Sequence, residues 1–354
     1  SDFTIVDGVL LVYNGEGGDI VIPDTVEVIG ASAFQNCKTI TSVIFGNNVA
    51  TVENYAFDGC YGLTSVTFNA NLKTIGSYAF RNCVSLVGDL TITENVTSVG
   101  SYAFYQCTGI DGKLTVEGNE RGITIGNYAF SNCTKISSLE LKEGITSIGN
   151  YAFSGCSGIK GDLVIPDTVT SLGSNAFYDC SGFDGTLKLS EKLTTIPTYA
   201  FTNCNGFTGE LIIPDSVVTI SNCAFSYPSY YSQYETQMSK ITSIVIGENV
   251  KTIGTDSSYY YSPFYGMTGV KEVTFKGTSV PSIGCSDIFY SMNNLEKVYV
   301  PAESYEAYVS ALGAYVNNGK IVTSDNTDDF VIQDGKLLLY QGEGGDIIIP
   351  DTVE

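Results

Sequence analysis

The sequence predicts an α/β repeat solenoid, in which short strands stack turn upon turn into a parallel sheet. Three observations lead to this prediction. An Ala-Phe pair recurs every 23 to 26 residues, a Cys follows most of these pairs at a fixed distance, and every unit repeats the same column of apolar residues. A unit of this length cannot enclose a core alone, so it must pack on its neighbours.

The Ala-Phe pairs set the length of the unit. Their phenylalanines are Phe34, Phe57, Phe80, Phe104, Phe130, Phe153, Phe177, Phe201 and Phe225. Three residues after the first eight come Cys37, Cys60, Cys83, Cys107, Cys133, Cys156, Cys180 and Cys204. The column predicts about eleven turns over residues 20–301.

Each unit divides into a strand and a returning segment. The alternation Val66-Thr67-Phe68 is typical of a short strand with one buried face. The Ile-Gly-x-x-Ala-Phe segment that follows is expected to form the returning, convex wall. The strands would then build a parallel sheet on the concave side.

The repeated column resembles the BspA-type leucine-rich repeats of bacterial surface proteins, which also occur in some parasitic protists, and the resemblance covers essentially the whole chain. It implies a right-handed leucine-rich-repeat superhelix, secretion or surface display, and interaction with host, matrix or other cells. It implies no particular ligand.

Both ends of the solenoid carry expected caps. Residues 1–27 are predicted to form a β-hairpin, turning at Asp7-Gly8, that leads into the first repeat. Residues 302–322 have helical apolar spacing and are predicted to be a C-terminal capping helix. After a linker at 323–329, residues 330–354 match Phe3 to Glu27 at 19 of 25 positions, so we expect the truncated start of a second solenoid.

The composition argues against several classes of function. The chain of 354 residues has no His and a net charge of −21, so the commonest general base is missing and a polyanionic partner is disfavoured. We therefore expect no nucleic acid, no cofactor, no metal and no membrane insertion within this chain. Localisation is expected to be extracellular or at the cell surface, with the export signal lying outside this sequence.

The cysteines and aspartates are not expected to carry chemistry. Eight Cys share one column, which favours buried core residues over disulfides, and Met267 and Met292 replace Cys in two later units. Cys223 and Cys285 fall outside that column, and the sequence gives them no role. The Asp of the recurring Pro-Asp-x-Val is expected to bond its own backbone in a turn.

A tyrosine column precedes the Ala-Phe pairs. Its members are Tyr55, Tyr78, Tyr102, Tyr128, Tyr151 and Tyr199. Packing against the neighbouring turn is one interpretation, and an aromatic stripe for a ligand is the other. The outward positions of the concave sheet show no aromatic cluster or stripe of one charge.

The one irregularity lies between Phe225 and Phe264, where two Tyr-rich insertions are predicted at 226–240 and 255–262. The candidate binding residues there are Tyr227, Tyr230, Tyr231, Tyr234, Tyr259, Tyr260 and Tyr261. Clustered Tyr and Ser give a stiff, adaptable contact surface, as in antibody paratopes. A tolerated surface insertion is the alternative.

Taken together, these features predict a non-enzymatic binding or adhesion protein whose partner is a protein or glycan on host or neighbouring cells. The alternative is a structural stalk that displays another domain of a larger surface protein. An enzyme is the third possibility, and a paired-carboxylate site is not expected.

Overall fold

The computed structural model describes residues 2–227, 238–255, 262–285, 287–324, 330–333 and 336–340, with a few single positions after 340. It is a parallel β-solenoid of about 12 turns, which confirms the predicted repeat architecture. The chain divides into two compact units, Ser1–Phe207 (unit 1) and Thr208–Glu354 (unit 2).

Unit 1 begins with a hairpin and continues as two rows of parallel strands. The hairpin strands are β1 (Phe3–Val6) and β2 (Val9–Tyr13). The odd wall of unit 1 consists of β3 (Gly18–Val21), β5 (Ile40–Ile44), β7 (Ser65–Thr67), β9 (Leu90–Ile92), β11 (Lys113–Val116), β13 (Ser138–Leu141), β15 (Leu163–Val164) and β17 (Leu187–Lys188). The even wall consists of β4 (Val28–Ile29), β6 (Thr51–Val52), β8 (Thr74–Ile75), β10 (Ser98–Val99), β12 (Ile123–Ile125), β14 (Ile145–Ile148), β16 (Ser171–Leu172) and β18 (Thr195–Ile196).

Unit 2 repeats the two walls over fewer turns. Its odd wall consists of β19 (Gly209–Ile213), β21 (Ile241–Ile246), β23 (Glu272–Phe275) and β25 (Lys297–Val300), with β26 (Ile321–Thr323) pairing onto β25. Its even wall consists of β20 (Thr219–Ile220), β22 (Thr252–Ile253) and β24 (Ser282–Ile283). The remaining elements are helix α1 (Tyr305–Leu312), β27 (Phe330–Gln333) and β28 (Lys336–Tyr340).

The even wall is the main departure from the predicted fold. The odd wall coincides with the predicted strands. The returning segment carries a second row of short paired strands, and in most turns the strand ends directly before the Gly of the corner, as Thr74–Ile75 does before Gly76. Among the described residues α1 is the single α-helix, so the helical part of the predicted α/β class is confined to one element of eight residues. The right-handed superhelix and the capping roles remain predictions.

The Ala-Phe pairs form the centre of the core in unit 1. The amide of Phe57 donates to the carbonyl of Ala79 in the next turn at 2.7 Å, and Phe80 does the same to Ala103. The phenylalanine rings from Phe34 to Phe201 stack with centroids 4.7 to 5.7 Å apart and planes within 12° of parallel. The exposure of these rings does not exceed 2%.

The chain bends sharply on both sides of each Ala-Phe pair. The residue two positions before Phe is left-handed in most turns of unit 1, as at Tyr78 (φ 60°), and so is the residue two positions after it, as at Asn82 (φ 60°). Asn and Gly adopt this conformation at little cost, whereas a bulky side chain does so only under constraint. The Ile-Gly corner is tight as well, because a Cβ on Gly126 would lie 2.6 Å from the backbone nitrogen of Ser101.

The hairpin at 3–13 has a near copy at 330–340. In both hairpins a Phe pairs with a Tyr across the strands, Phe3 with Tyr13 and Phe330 with Tyr340, and the register shifts after the second pair. The turn of the first hairpin has positive φ at Asp7 and Gly8, as a type I′ turn requires. Its strand β2 then pairs in parallel with β4.

Within the predicted helix 302–322, α1 is preceded by a 3-10 turn at Ala302–Ser304. Tyr305, Tyr308 and Leu312 are buried, as the predicted apolar face requires. None of the helices in the described part of the chain has the length and apolar character needed to cross a bilayer. The boundaries of the predicted domains, including the linker 323–329, stay predictions.

Removing one ring from the phenylalanine stack should destabilise the protein. Phe130 is fully buried between Phe104 and Phe153, so Phe130→Ala should lower the free energy of unfolding by about 3 to 5 kcal/mol. Urea unfolding followed by circular dichroism measures the loss. Val164→Ala, at a side chain that is 46% exposed, is the control and should change stability by less than about 0.5 kcal/mol. Equal effects of the two substitutions would contradict the stack as the centre of the core.

Candidate functional site

The cysteine column lies inside the core. From Cys60 to Cys204 every thiol of the column is fully buried, whereas Cys37 in the first turn is half-buried. All ten cysteines of the chain are free. The prediction of buried core residues is therefore confirmed for Cys60 to Cys204, and Met267 and Met292, which replace Cys in unit 2, are also buried.

These thiols do more than fill space. The Sγ of each donates to the carbonyl oxygen of the Phe in the preceding turn, at 3.1 to 3.2 Å, in the pairs Cys60–Phe34, Cys83–Phe57, Cys107–Phe80, Cys133–Phe104, Cys156–Phe130, Cys180–Phe153 and Cys204–Phe177. Burial raises the pKa of Cys60 and of Cys133 to about 12. A nucleophile or metal ligand must be a thiolate, so these residues are suited to structure and not to catalysis.

The two cysteines outside the column also occupy repeat positions. Cys223 lies two residues before Phe225 with φ 51°, the position that Tyr takes in most other turns, and it is fully buried. Cys285 directly follows the Ile283-Gly284 corner and is 3% exposed. Aligning the turns on Phe, and not on Cys, would have assigned Cys223 to the tyrosine column.

The Pro-Asp-x-Val aspartates act between turns, contrary to the prediction that each bonds its own backbone. The carboxylate of Asp24 accepts from the amide of Asn47 at 2.7 Å, that of Asp167 from Glu191 at 3.0 Å, and that of Asp215 from Glu248 at 3.0 Å. Each bond joins one turn to the next. Asp351 lies outside the described residues. Among the residues that the structure describes, no group of three or more His, Cys, Asp or Glu could hold a metal ion.

The tyrosine column forms a ladder on the surface of unit 1. Tyr55, Tyr78, Tyr102, Tyr128 and Tyr151 stack with centroids 4.6 to 4.8 Å apart and planes within 8° of parallel, and each is half-buried. This spacing is that of neighbouring strands. The interior rings cover each other's faces, which supports the packing interpretation, while the ring edges stay accessible.

One basic side chain is attached to this tyrosine ladder. The guanidinium of Arg81 binds the buried carboxylate of Asp58 through two bonds of 2.8 and 2.9 Å, and Gln35 donates to the same carboxylate at 3.0 Å. The guanidinium carbon lies 4.8 Å from the ring centroid of Tyr78. The hydrogen bond to Asp58 raises the pKa of Arg81.

The outer face of the odd wall in unit 1 combines exposed apolar side chains with paired charges. Val21 and Ile44 are register partners and are 63% and 47% exposed. Further along, Lys142 pairs with Glu117 at 2.8 Å, and Lys113 contacts Glu140. A depression of about 430 Å³ is lined by Lys113, Ser138, Leu139, Glu140, Leu141, Lys160, Gly161, Asp162 and Val164. This depression could not be predicted from the sequence, because its shape depends on how consecutive turns align.

The Tyr-rich insertions are described only at their margins. Tyr227 is 6% exposed, so its ring packs within the protein. The other candidate residues, Tyr230, Tyr231, Tyr234, Tyr259, Tyr260 and Tyr261, lie outside the described residues. The predicted role of these tyrosines in ligand contact therefore stays a prediction.

The two parallel walls, the Phe stack and the ladders between turns define a repeat protein whose core is built by stacking. The chain belongs to the BspA type leucine rich repeat family, whose pattern matches residues 13–121, 114–232 and 230–328. The resemblance seen in the sequence is thereby confirmed.

Several solved structures are similar. A leucine-rich repeat protein of Bacteroides ovatus is 25% identical, with 86% of this chain and 83% of that chain covered and a TM-score of 0.44. The leucine rich repeat protein of T. pallidum is 26% identical, with 49% and 80% covered and a TM-score of 0.43. A leucine rich cell surface protein of Faecalibacterium prausnitzii is 23% identical, with 73% and 79% covered and a TM-score of 0.33. A search of curated proteins gave no match.

The buried thiols should be inert in the folded protein. At pH 8 we expect iodoacetamide to label Cys37 and to leave Cys60 to Cys204 unmodified, because burial keeps those thiols protonated and inaccessible. Mass spectrometry of peptides locates the label. Unfolding in urea is the control and should expose all ten cysteines. Rapid labelling of Cys133 in the folded protein would contradict the described core.

The buried thiols of the cysteine column should also make the free energy of unfolding fall at alkaline pH. The folded state favours the protonated thiol, so the contribution of Cys133 is complete below the ordinary pKa of 9.0 and is lost as the pH rises toward about 12. Urea unfolding at pH 8 to 11 should show this decline. Cys133→Ala should decline less steeply, whatever its stability at pH 8. Parallel curves for the two proteins would contradict the assigned pKa.

Proposed function

We propose that this chain is a non-enzymatic binding or adhesion protein, secreted or displayed at the cell surface, whose ligand is a protein or glycan on host cells, matrix or neighbouring cells. Membership of the BspA type family supports surface display, since it is a family of bacterial surface repeat proteins. The absence of His from a chain of 354 residues supports a non-enzymatic role.

The observation that carries this proposal is the outer face of the odd wall. Exposed Val21, Ile44 and Val164 lie on parallel strands that pack on the core, so little conformational entropy is lost when a ligand binds there. The ion pairs on this face are half-exposed and contribute at most about 1 kcal/mol each to stability. Their side chains are therefore free to exchange partners with a ligand.

The Tyr-rich insertions are the second part of the proposal. They break an otherwise regular period, and surplus residues that the core does not require are where recognition can vary without loss of the fold. We propose Tyr230, Tyr231, Tyr234, Tyr259, Tyr260 and Tyr261 as contact residues. Tyr227, the seventh candidate, is buried and would support the loop from within.

A structural stalk is the alternative function. The near copy of the first hairpin at 330–340 supports it, because repeated modules in series are a way to build length. A stalk requires a stiff solenoid and no ligand, so direct binding measurements separate the two functions.

A binding screen with matched variants tests the proposal. The wild-type chain should bind at least one immobilised matrix protein or glycan. Either the wall variant Lys160→Ala with Val164→Ser, or the Tyr variant Tyr230→Ala, Tyr231→Ala, Tyr260→Ala and Tyr261→Ala, should weaken that binding roughly tenfold or more. Lys135→Ala with Val6→Ser, at exposed positions outside the depression, is the control and should leave affinity unchanged. No binding by the wild type would favour the stalk, and unchanged affinity in the Tyr variant would remove the insertions from the proposed site.

A further inference from the structure

The tyrosine ladder presents a row of hydroxyl groups that the protein itself does not use. The ring faces are taken up by stacking at 4.6 to 4.8 Å, so ring edges and phenolic oxygens are what the ladder offers to solvent. Within the described part of the chain, none of the five phenolic hydroxyls from Tyr55 to Tyr151 takes part in a side-chain hydrogen bond. They are available to a ligand.

A second row of hydroxyls runs alongside, on the even wall. The strand register places Thr51, Thr74, Ser98, Thr124, Ser147 and Ser171 side by side in consecutive turns. Each precedes the ladder position of its own turn by four residues. The side chains of these six residues are half-exposed or exposed and likewise make no hydrogen bond to the described protein.

Neighbouring threonines do form side-chain hydrogen bonds, so the lack of such bonds is specific to this row and is not general for Ser and Thr. Thr97, Thr146 and Thr170, each one residue earlier in the chain, donate their hydroxyls to carbonyls of the preceding turn at 3.2 to 3.4 Å. Those hydroxyls tie turns together. The hydroxyls of the adjacent row are left with solvent as their partner.

The band between the two rows is free of charge over four turns. Residues 97–102, 123–128, 146–151 and 170–175 contain no Asp, Glu, Lys or Arg, although the whole chain has 38 acidic and 17 basic residues. A charged ligand has no side chain of opposite charge to pair with in these segments, and the net charge of −21 repels a polyanion. The complement of an uncharged, hydroxyl-rich band is a neutral, hydroxyl-rich ligand.

We propose that this band of unit 1, formed by Ser98, Thr124, Ser147 and Ser171 with Tyr102, Tyr128 and Tyr151, binds a neutral linear polysaccharide. The inference rests on the proposed binding function and adds a ligand class and a further site, separate from the outer face of the odd wall. Sugar hydroxyls exchange hydrogen bonds with the two rows, and sugar C–H groups pack on the ring edges. Because the same contacts recur in each turn, weak contacts along one polymer chain add up to a useful affinity.

Affinity gel electrophoresis tests the proposal on the full chain. The probes are soluble hydroxyethylcellulose, laminarin, amylose and mannan, with alginate as the polyanionic comparison. We expect at least one neutral polymer to retard the wild-type protein and alginate to have no effect. Failure of all four neutral polymers to retard it would overturn the inference, while binding to a protein in the screen above would still support the proposed function.

Two variants locate the site. The row variant combines Ser98→Ala, Thr124→Val and Ser147→Ala. The ladder variant combines Tyr102→Asn and Tyr128→Asn, because Asn175 already occupies this position with φ 58°. Each should lower the affinity for the retarding polymer about tenfold. Urea unfolding of each variant checks that it is folded.

The matched control lies outside the strands of both walls. Thr25→Val, Thr134→Val and Ser157→Ala remove three exposed hydroxyls and should leave retardation unchanged. Wild-type affinity in both the row and ladder variants, or an equal loss in the control, would overturn the assignment of the site. In that case the protein would still bind glycan, and the proposed function would survive without this site.

Discussion

The alignment of each Ala-Phe pair on the pair of the next turn is the constraint on which the structure of unit 1 depends. The amide of Phe104 bonds to the carbonyl of Ala129, the two Phe rings stack at 5.2 Å, and the thiol of Cys133 donates to the carbonyl of Phe104. Three kinds of contact, from the backbone, the aromatic rings and the thiol, thus hold the Ala-Phe pair of one turn against that of the next. This is why the period stays close to 24 residues although the rest of each turn varies.

The turn between Phe104 and Phe130 shows how strict the constraint is. It is 26 residues long, and the surplus is taken up on the far side, where the pairing of β12 with β14 shifts register between Ile123 and Thr124. A surface depression of about 460 Å³, lined in part by Asn119 and Glu143, lies at this irregularity. Extra residues in a turn are therefore accommodated at the surface, where they alter the local surface shape and leave the Phe stack undisturbed.

The same constraint explains the strained tyrosines. Left-handed backbone at a bulky residue costs on the order of 1 kcal/mol or more, yet Tyr55, Tyr78, Tyr102, Tyr128 and Tyr151 all have φ between 55° and 60°. The turn geometry imposes this conformation on whatever residue is present, as Ser32 and Asn175 also show. Stacking of parallel rings contributes about 0.5 to 1.5 kcal/mol for each pair, which offsets the strain.

Much of this fold could be read from the sequence, because its dominant signals are periodic. The spacing of Phe and Cys gave the turn length, the odd-wall strands and the buried thiols, and the Asp7-Gly8 turn gave the first hairpin. The even wall was missed because most of its strands are two residues long, too short for an alternating pattern. The thiol-to-carbonyl bonds and the aspartate contacts were missed for another reason: each joins residues 23 or more positions apart, and only the alignment of turns decides which atoms meet.

The candidate surfaces were harder to predict because they consist of exposed positions whose residue type is not determined by packing in the core. A position such as Val164 meets no packing demand, so the column of buried residues does not predict its identity. The row that contains Ser98 does recur with the repeat, but only the strand register shows that its hydroxyls lie side by side. The two walls nonetheless differ in charge, and this difference affects how binding depends on salt. The odd wall has ion pairs at Lys113 and Lys142, so contacts made there weaken as salt screens them, whereas contacts along the uncharged band do not. The salt dependence of binding therefore reports which wall a ligand occupies before any residue is changed.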